Sequence, residues 1–280
     1  MRTITLLDGA MGTMLQQAGL PPGTPAALWT WTHPLAVLRV HRAYVAAGAQ
    51  VLLTNTLTAQ RPFLAPYGLV RQVDALNRRA VALARRAAEQ ASQPVRVAAS
   101  LGPPIDEHEE ALQALLEQAQ ALVAAGVDWL WLETQVALAP LVRLVDRLRM
   151  FAPCPIVVTF SFHANGCTVD GASPREVAQT LHSLGVFAFG ANCGAGPHET
   201  ERVIAEMADA TPDARLVAKS NAGLPPTYAT PDEMAAHARR VARLGARLIG
   251  GCCGTTPAHL AAMAQVLGMK NTDANMTNIN

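Results

Sequence analysis

Two adjacent cysteines stand in the segment Gly250-Gly251-Cys252-Cys253-Gly254, after the short apolar run Arg247-Leu248-Ile249. A third, Cys193, follows the run Phe187-Ala188-Phe189-Gly190-Ala191-Asn192 and precedes Gly194. If both runs are parallel strands of one sheet, all three thiols emerge at the same end of it. Three convergent cysteines make a thiolate-rich site for a soft metal, with one position left for another ligand. Zinc suits such a site, and three thiolates leave it with a net charge of about −1. That ion is a weak Lewis acid towards water. It can still hold a substrate thiol as a thiolate, because coordination lowers a thiol's pKa from about 8.5. A thiolate held in this way is a usable nucleophile.

The vicinal pair can serve together only if the strand end kinks, and Gly250, Gly251 and Gly254 supply that freedom. Any one of these cysteines alone reads as an ordinary buried residue in a small-residue strand. Three of them at two strand ends favour a site. Cys154 and Cys167 lie elsewhere in the pattern and read as structural or incidental.

The elements that must carry these residues repeat regularly. Apolar, β-branched runs at 4–8, 51–55, 95–100, 129–133, 156–161, 186–192, 215–220 and 247–251 read as strands. Alanine-rich amphipathic stretches at 34–47, 70–91, 109–125, 137–151, 173–184, 198–210, 231–244 and 257–266 read as helices. Several helices open with proline at their first position, as in His33-Pro34, Ser173-Pro174, Thr230-Pro231 and Thr256-Pro257. Several close on glycine before the next strand, at Gly48, Gly126, Gly185 and Gly245. Repeated βα units force parallel pairing and predict an α/β fold, a single (β/α)₈ barrel with its site at the C-terminal ends of the strands. An open doubly wound sheet is the alternative. It would show a glycine-rich phosphate loop after the first strand, which Asp8-Gly9-Ala10-Met11-Gly12-Thr13 resembles only weakly.

Half of the 280 residues are apolar and 15% are charged, which suits one large helix-rich core. The net charge of +1 gives no electrostatic case for nucleic acid or an anionic membrane. Five cysteines, two of them adjacent, make a poor disulfide framework. The N-terminus is unlike a signal peptide, and no apolar run is long enough to span a bilayer. A reducing, cytoplasmic setting is the expectation. Beyond residue 268 the sequence turns polar and patternless, and 269–280 reads as a disordered tail or an artificial remnant.

Other polar residues fall at the same strand ends. They are Asp8, Thr54-Asn55-Thr56, Glu133-Thr134, Asn192 and Lys219-Ser220-Asn221. Asp8 and Glu133 can hold an ammonium group or act as general bases. Asp8 can equally cap the helix that follows it. The amides of Gly9, Ala10 and Met11 can receive a carboxylate. Asn192 and Asn221 can orient a substrate or support the metal ligands. Lys219 could form a Schiff base, as in a lyase, or pack its stem outside the barrel. His41, His163, His182, His198, His237 and His259 fit no ligand spacing with the cysteines and read as packing or surface residues.

These segments together resemble the homocysteine S-methyltransferase family. The resemblance rests on Leu7-Asp8-Gly9-Ala10-Met11-Gly12-Thr13, Thr54-Asn55-Thr56, Leu132-Glu133-Thr134, Gly190-Ala191-Asn192-Cys193-Gly194, Asn221-Ala222-Gly223-Leu224-Pro225 and Gly250-Gly251-Cys252-Cys253-Gly254-Thr255-Thr256-Pro257. It spans residues 1–268. It implies a (β/α)₈ barrel with zinc on Cys193, Cys252 and Cys253. It also implies that the homocysteine thiol binds zinc, that Glu133 holds the amino group, and that Asp8 and the amides after it form the amino-acid binding loop. The implied product is methionine. The segment from Val40 to Thr56 is most similar to the homocysteine module of cobalamin-dependent methionine synthases. The implied donor is a sulfonium such as S-methylmethionine, or a methyl-corrinoid protein acting in trans, with methylcobalamin as external donor. Betaine ranks third, since an aromatic cage would have to come from Trp29, Trp31, Tyr44, Phe63, Tyr67 and Tyr228. A non-catalytic zinc-thiolate protein, or a scaffold for a corrinoid partner, is the alternative of another class.

Overall fold

The computed structural model describes residues 3–106, 108–163, 165–224 and 227–269. The tail expected beyond 268 falls, from 270 onward, outside the described residues.

Eight parallel strands alternate with helices, as the repeat predicts. They are β1 (Thr5–Leu6), β2 (Val51–Leu53), β3 (Arg96–Leu101), β4 (Trp129–Gln135), β5 (Ile156–Phe160), β6 (Ala188–Cys193), β7 (Leu216–Ser220) and β10 (Ala246–Gly251). Their order around the sheet is β1-β10-β7-β6-β5-β4-β3-β2. A parallel bridge between Leu7 and Val51 joins the two ends and closes the barrel. Between β7 and β10 lies a small antiparallel hairpin, β8 (Gly223–Leu224) and β9 (Thr227–Tyr228), which the βα repeat does not announce.

Two apolar layers hold this together. Inside the barrel, Leu7, Val51, Leu53, Ala98, Trp129, Trp131, Val157, Ala188, Val217 and Leu248 form one cluster. They are alternate residues of the strands, the inward set of a period-2 pattern. Outside it, the other strand faces pack against the helices in one continuous cluster. Helix Val73–Ala88 shows how: Val73, Leu76, Asn77, Ala80, Val81, Ala84 and Ala87 are its buried residues, spaced three and four apart.

The end signals of the helices also appear. Ser173 and Thr230 each close a capping box with Glu176 and Glu233. Gly48, Gly126, Gly185 and Gly245 sit at positive φ just past helix ends. No helix among the described residues is long and apolar enough to cross a membrane.

One step beyond the apolar floor, the same alternation points Ser100, Glu133, Thr159 and Lys219 inwards, at the C-terminal mouth. The barrel is tight where β6 crosses β7. A Cβ on Gly190 would run into the backbone of Val217. Gly190→Ala is expected to destabilise the fold by about 1–3 kcal/mol, the cost of overpacking a core. Thermal or urea unfolding of the variant measures it, and an unchanged midpoint would show that the barrel yields there.

Candidate active site

Both strands that carry the cysteines pair with β7. Cys193 lies opposite Ser220 on one side, and Gly251 lies opposite Ser220 on the other. Cys252 extends the ladder by donating its amide to the Ser220 carbonyl at 2.8 Å. The chain then turns. Thr255 donates its amide to the Cys252 carbonyl at 3.1 Å, with Gly254 at φ 77°. This is the kink that the flanking glycines were expected to allow. Gly251 itself has no room for a side chain, because Thr255 packs against it.

On the facing strand end Cys193 has φ 63°, a left-handed conformation unusual outside glycine. Such a residue costs on the order of 1–3 kcal/mol and persists where its surroundings impose it. Together these two bends bring the sulfurs of Cys193, Cys252 and Cys253 within 4.8 Å of one another. Cys154 and Cys167 stay outside this group.

The asparagines fasten the arrangement. Asn192 donates Nδ2–H to Thr134 Oγ1 at 2.8 Å, and accepts from the Thr134 amide at 2.9 Å. Thr134 is also left-handed, at φ 58°. The same Nδ2 lies 3.7 Å from Cys252 Sγ. Asn221 Nδ2 donates to the Gly194 carbonyl at 2.8 Å and reaches Cys193 Sγ at 3.6 Å. Two sulfurs therefore receive N–H groups from neighbouring strand ends, as metal thiolates require of their surroundings.

The thiols also share charge. Hydrogen bonds from the Cys252 and Cys253 thiols, together with one from Asn221, outweigh burial and pull Cys193 down to about 3. The contact with Cys193 pushes Cys253 and Cys252 above the usual thiol range, and burial adds to this. Thiols this close oppose one another's ionisation, and a bound cation would relieve that opposition. The donor set and its supporting amides fit a tetrahedral soft metal with one open position.

Beside the sulfurs stands an ion triad, with Lys219 and Asp8 buried and Glu133 partly exposed. Lys219 Nζ lies 3.1 Å from Asp8 Oδ1 and 3.4 Å from Glu133 Oε1, above the ring of Trp131. Each carboxylate has a second tether. Asp8 Oδ2 accepts the Leu53 amide at 2.7 Å, and Glu133 Oε2 accepts from Ser100 Oγ at 2.6 Å. Burial raises Asp8 to about 6, although Lys219 pulls against it. Burial lowers Lys219, but Asp8, Glu133 and Cys252 outweigh it and hold the amine above its usual value.

Two expectations change here. Asp8 does not cap the next helix, whose N-cap residue is Met11 without a side-chain cap. The Lys219 stem does not pack outside the barrel: it is 2% exposed and faces the mouth. Held as a paired ammonium, Lys219 is a poor nucleophile for a Schiff base.

The three cysteines, Asp8, Ser100, Glu133, Thr134 and Lys219 line one cavity of about 530 Å³ that also takes in Gly9, Ala10 and Met11, whereas Asn192 and Asn221 stand behind its wall and reach it only through the sulfurs they support. The Ala10 amide is already committed to the Thr255 carbonyl at 3.2 Å, which leaves Gly9 and Met11 as the amides that could serve a ligand. Tyr44 locks this loop to the cysteine loop, its hydroxyl 2.7 Å from the carbonyls of both Ala10 and Thr255. Its ring leaves no room for a side chain on Gly9. Leu20, Gly23, Thr24, Pro25 and Ala26 form another wall, from a loop that the βα repeat gives no reason to place here.

Of the aromatic residues considered for a cage, only Phe63 lines the cavity. The histidines stay outside it. His41 is buried with neither ring nitrogen bonded, and burial lowers it to about 4. His237 pairs with Glu201, and His259 bonds Thr256 and the Ala229 carbonyl at the last helix.

A sequence profile of homocysteine S-methyltransferases matches residues 5–267. The chain belongs to the homocysteine S-methyltransferase family. It is 31% identical to the methionine synthase of Mycobacterium tuberculosis across 92% of its own length, and spans only 24% of that protein. Among solved structures it is similar to the homocysteine methyltransferase MmuM of Escherichia coli in a metallated form. There the identity is 30%, with 94% of this chain and 96% of that one covered, at a TM-score of 0.81. A methyltransferase from Methanosarcina mazei shares the fold at 13% identity and a TM-score of 0.64. Family membership agrees with the resemblance read from the strand-end motifs, and the barrel matches the MmuM fold.

Asn192 joins a strained residue to a sulfur, so its loss should loosen the metal. Asn192→Ala is expected to weaken metal affinity by about 10–100-fold. Competition with a chromophoric chelator measures this, and wild-type affinity would show that the strand ends hold the sulfurs unaided.

Proposed function

We propose that the chain moves a methyl group to the thiol of homocysteine, forming methionine, with zinc held by Cys193, Cys252 and Cys253. The observation that carries this reading is the three sulfurs within 4.8 Å at the mouth of a barrel, beside a buried Asp8 and a partly exposed Glu133. When bound, zinc supplies the charge that keeps the acceptor sulfur in its thiolate form at neutral pH. The chain's own residues do the rest. Glu133, with Asp8 behind it, takes the acceptor's ammonium group. The Gly9–Met11 segment takes its carboxylate. Asn192 and Asn221 keep the cysteine sulfurs in place.

Holding both ends of the amino acid fixes the direction of its sulfur lone pair, which suits an in-line displacement. The sulfur–methyl bond forms as the donor–methyl bond breaks, and the breaking bond's electron pair leaves with the donor. The thiol proton has already left on binding. No covalent enzyme intermediate is needed.

The donor we propose is a sulfonium such as S-methylmethionine or a methyl-corrinoid supplied in trans. A quaternary ammonium donor would want several aromatic faces around it, and among the described residues Phe63 is the one aromatic side chain that lines the cavity.

Zinc-loaded protein with homocysteine and S-methylmethionine, S-adenosylmethionine, betaine or methylcobalamin, each separately, tests the reading. Methionine is expected with a sulfonium or with methylcobalamin, and none with betaine. Silence with every donor despite bound zinc would contradict a chain that acts on free small-molecule donors. Cys252→Ala is expected to lose zinc and turnover to background while its circular dichroism stays that of the barrel. Full activity in that variant would sink the zinc mechanism.

A further inference from the structure

Lys219 is the only cation among the described residues that line the cavity. It sits between the two carboxylates expected to meet the acceptor, and one Nζ bridges both. It is anchored on an inward position of β7, 2% exposed, over Trp131. The partners around it are ordered in depth. Asp8 is 5% exposed at its side chain and Glu133 is 12% exposed. Asp8 thus lies behind, tethered to the Leu53 amide, and Glu133 lies in front, tethered to Ser100.

The triad has two negative charges and one positive. One more ammonium would neutralise it. Without Lys219 the two carboxylates would lose the cation that bridges them, and Glu133 would keep only its Ser100 tether.

We infer that Lys219 is a positioning residue for the acceptor, resting on the methyl-transfer reading above. It keeps Glu133 aimed by one of that carboxylate's two tethers and offsets one of the two acidic groups, so the pocket selects a thiol that carries one ammonium group. Lys219 does not touch the reacting sulfur. Its effect belongs in acceptor affinity rather than in the methyl-transfer step.

The test compares homocysteine with 4-mercaptobutanoate, the same thiol acid without the amine. Binding of each to the zinc-loaded protein is measured calorimetrically in the absence of donor, and KM and kcat are measured with the donor that supports turnover. Wild type should prefer homocysteine by about 10-fold or more, the value of a charge-assisted hydrogen bond. Lys219→Met should keep its zinc and most of its kcat, raise the KM for homocysteine by about 10-fold, and lose the preference over 4-mercaptobutanoate. Lys219→Arg should recover part of both.

Should Lys219→Met fail to fold, Ser100→Ala removes the other Glu133 tether and should raise KM and erode the preference in the same direction. Equal loss of affinity for both thiols, or an unchanged preference, would overturn the inference. Loss of zinc in Lys219→Met would overturn it too, by placing the lysine in the metal site. If wild type binds both thiols equally and still makes methionine, the inference fails and the functional reading stands. If wild type binds neither thiol, both fail.

Discussion

Everything at the mouth of this barrel depends on a register across one strand. β7 pairs with β6 on one side and with β10 on the other, and Ser220 faces both Cys193 and Gly251. Strands in a sheet stand about 4.8 Å apart, so β6 and β10 are roughly twice that distance from each other. Three sulfurs meet across this gap only because both strand ends bend towards it. The Cys193 backbone turns left-handed, and the Cys252–Thr255 turn folds the vicinal pair inwards. The barrel bears the cost. Asn192, Thr134, Asn221 and the Tyr44 hydroxyl all spend hydrogen bonds on these bends, and none of those bonds is part of a helix or a sheet ladder.

The second constraint is charge. The cavity combines a thiolate cluster with two carboxylates, and burial makes isolated charges of one sign expensive. Lys219 offsets part of this from inside the wall. In the function proposed here, a dication on the sulfurs and an ammonium from the acceptor would complete the compensation. On the proposed reading the site would recognise an aminothiol at both ends: the sulfur end by metal chemistry and the amine end by an ion triad left one positive charge short. That division suits a reaction in which the sulfur must be reactive while the rest of the molecule is held still.

Much of this was legible in the residues. The βα repeat and its glycine stops gave all eight barrel strands, with ends displaced by a few residues. Cysteines at two strand ends pointed to one another because parallel strands share a polarity. Lys219 was harder to read. Alternation along β7 placed it with Asn221, but a sequence does not say which parity faces inwards, and a lysine usually faces out. Val217 in the interior cluster decides it. The left-handed Cys193 and Thr134 were also hidden, since neither is a glycine. The same holds for the wall formed by residues 20–26, which depends on how a loop folds back over the mouth rather than on any local pattern. Ala10 shows the limit of reading a loop as a row of free amides, because one of the three amides had already been taken by Thr255.

X-ray absorption of the zinc-loaded protein, with and without homocysteine, tests the central claim most directly. Three sulfur neighbours at about 2.3 Å are expected in the protein alone and a fourth when homocysteine is added. A shell with fewer than three sulfurs, or one that homocysteine leaves unchanged, would contradict a cysteine-held zinc that receives the acceptor thiol.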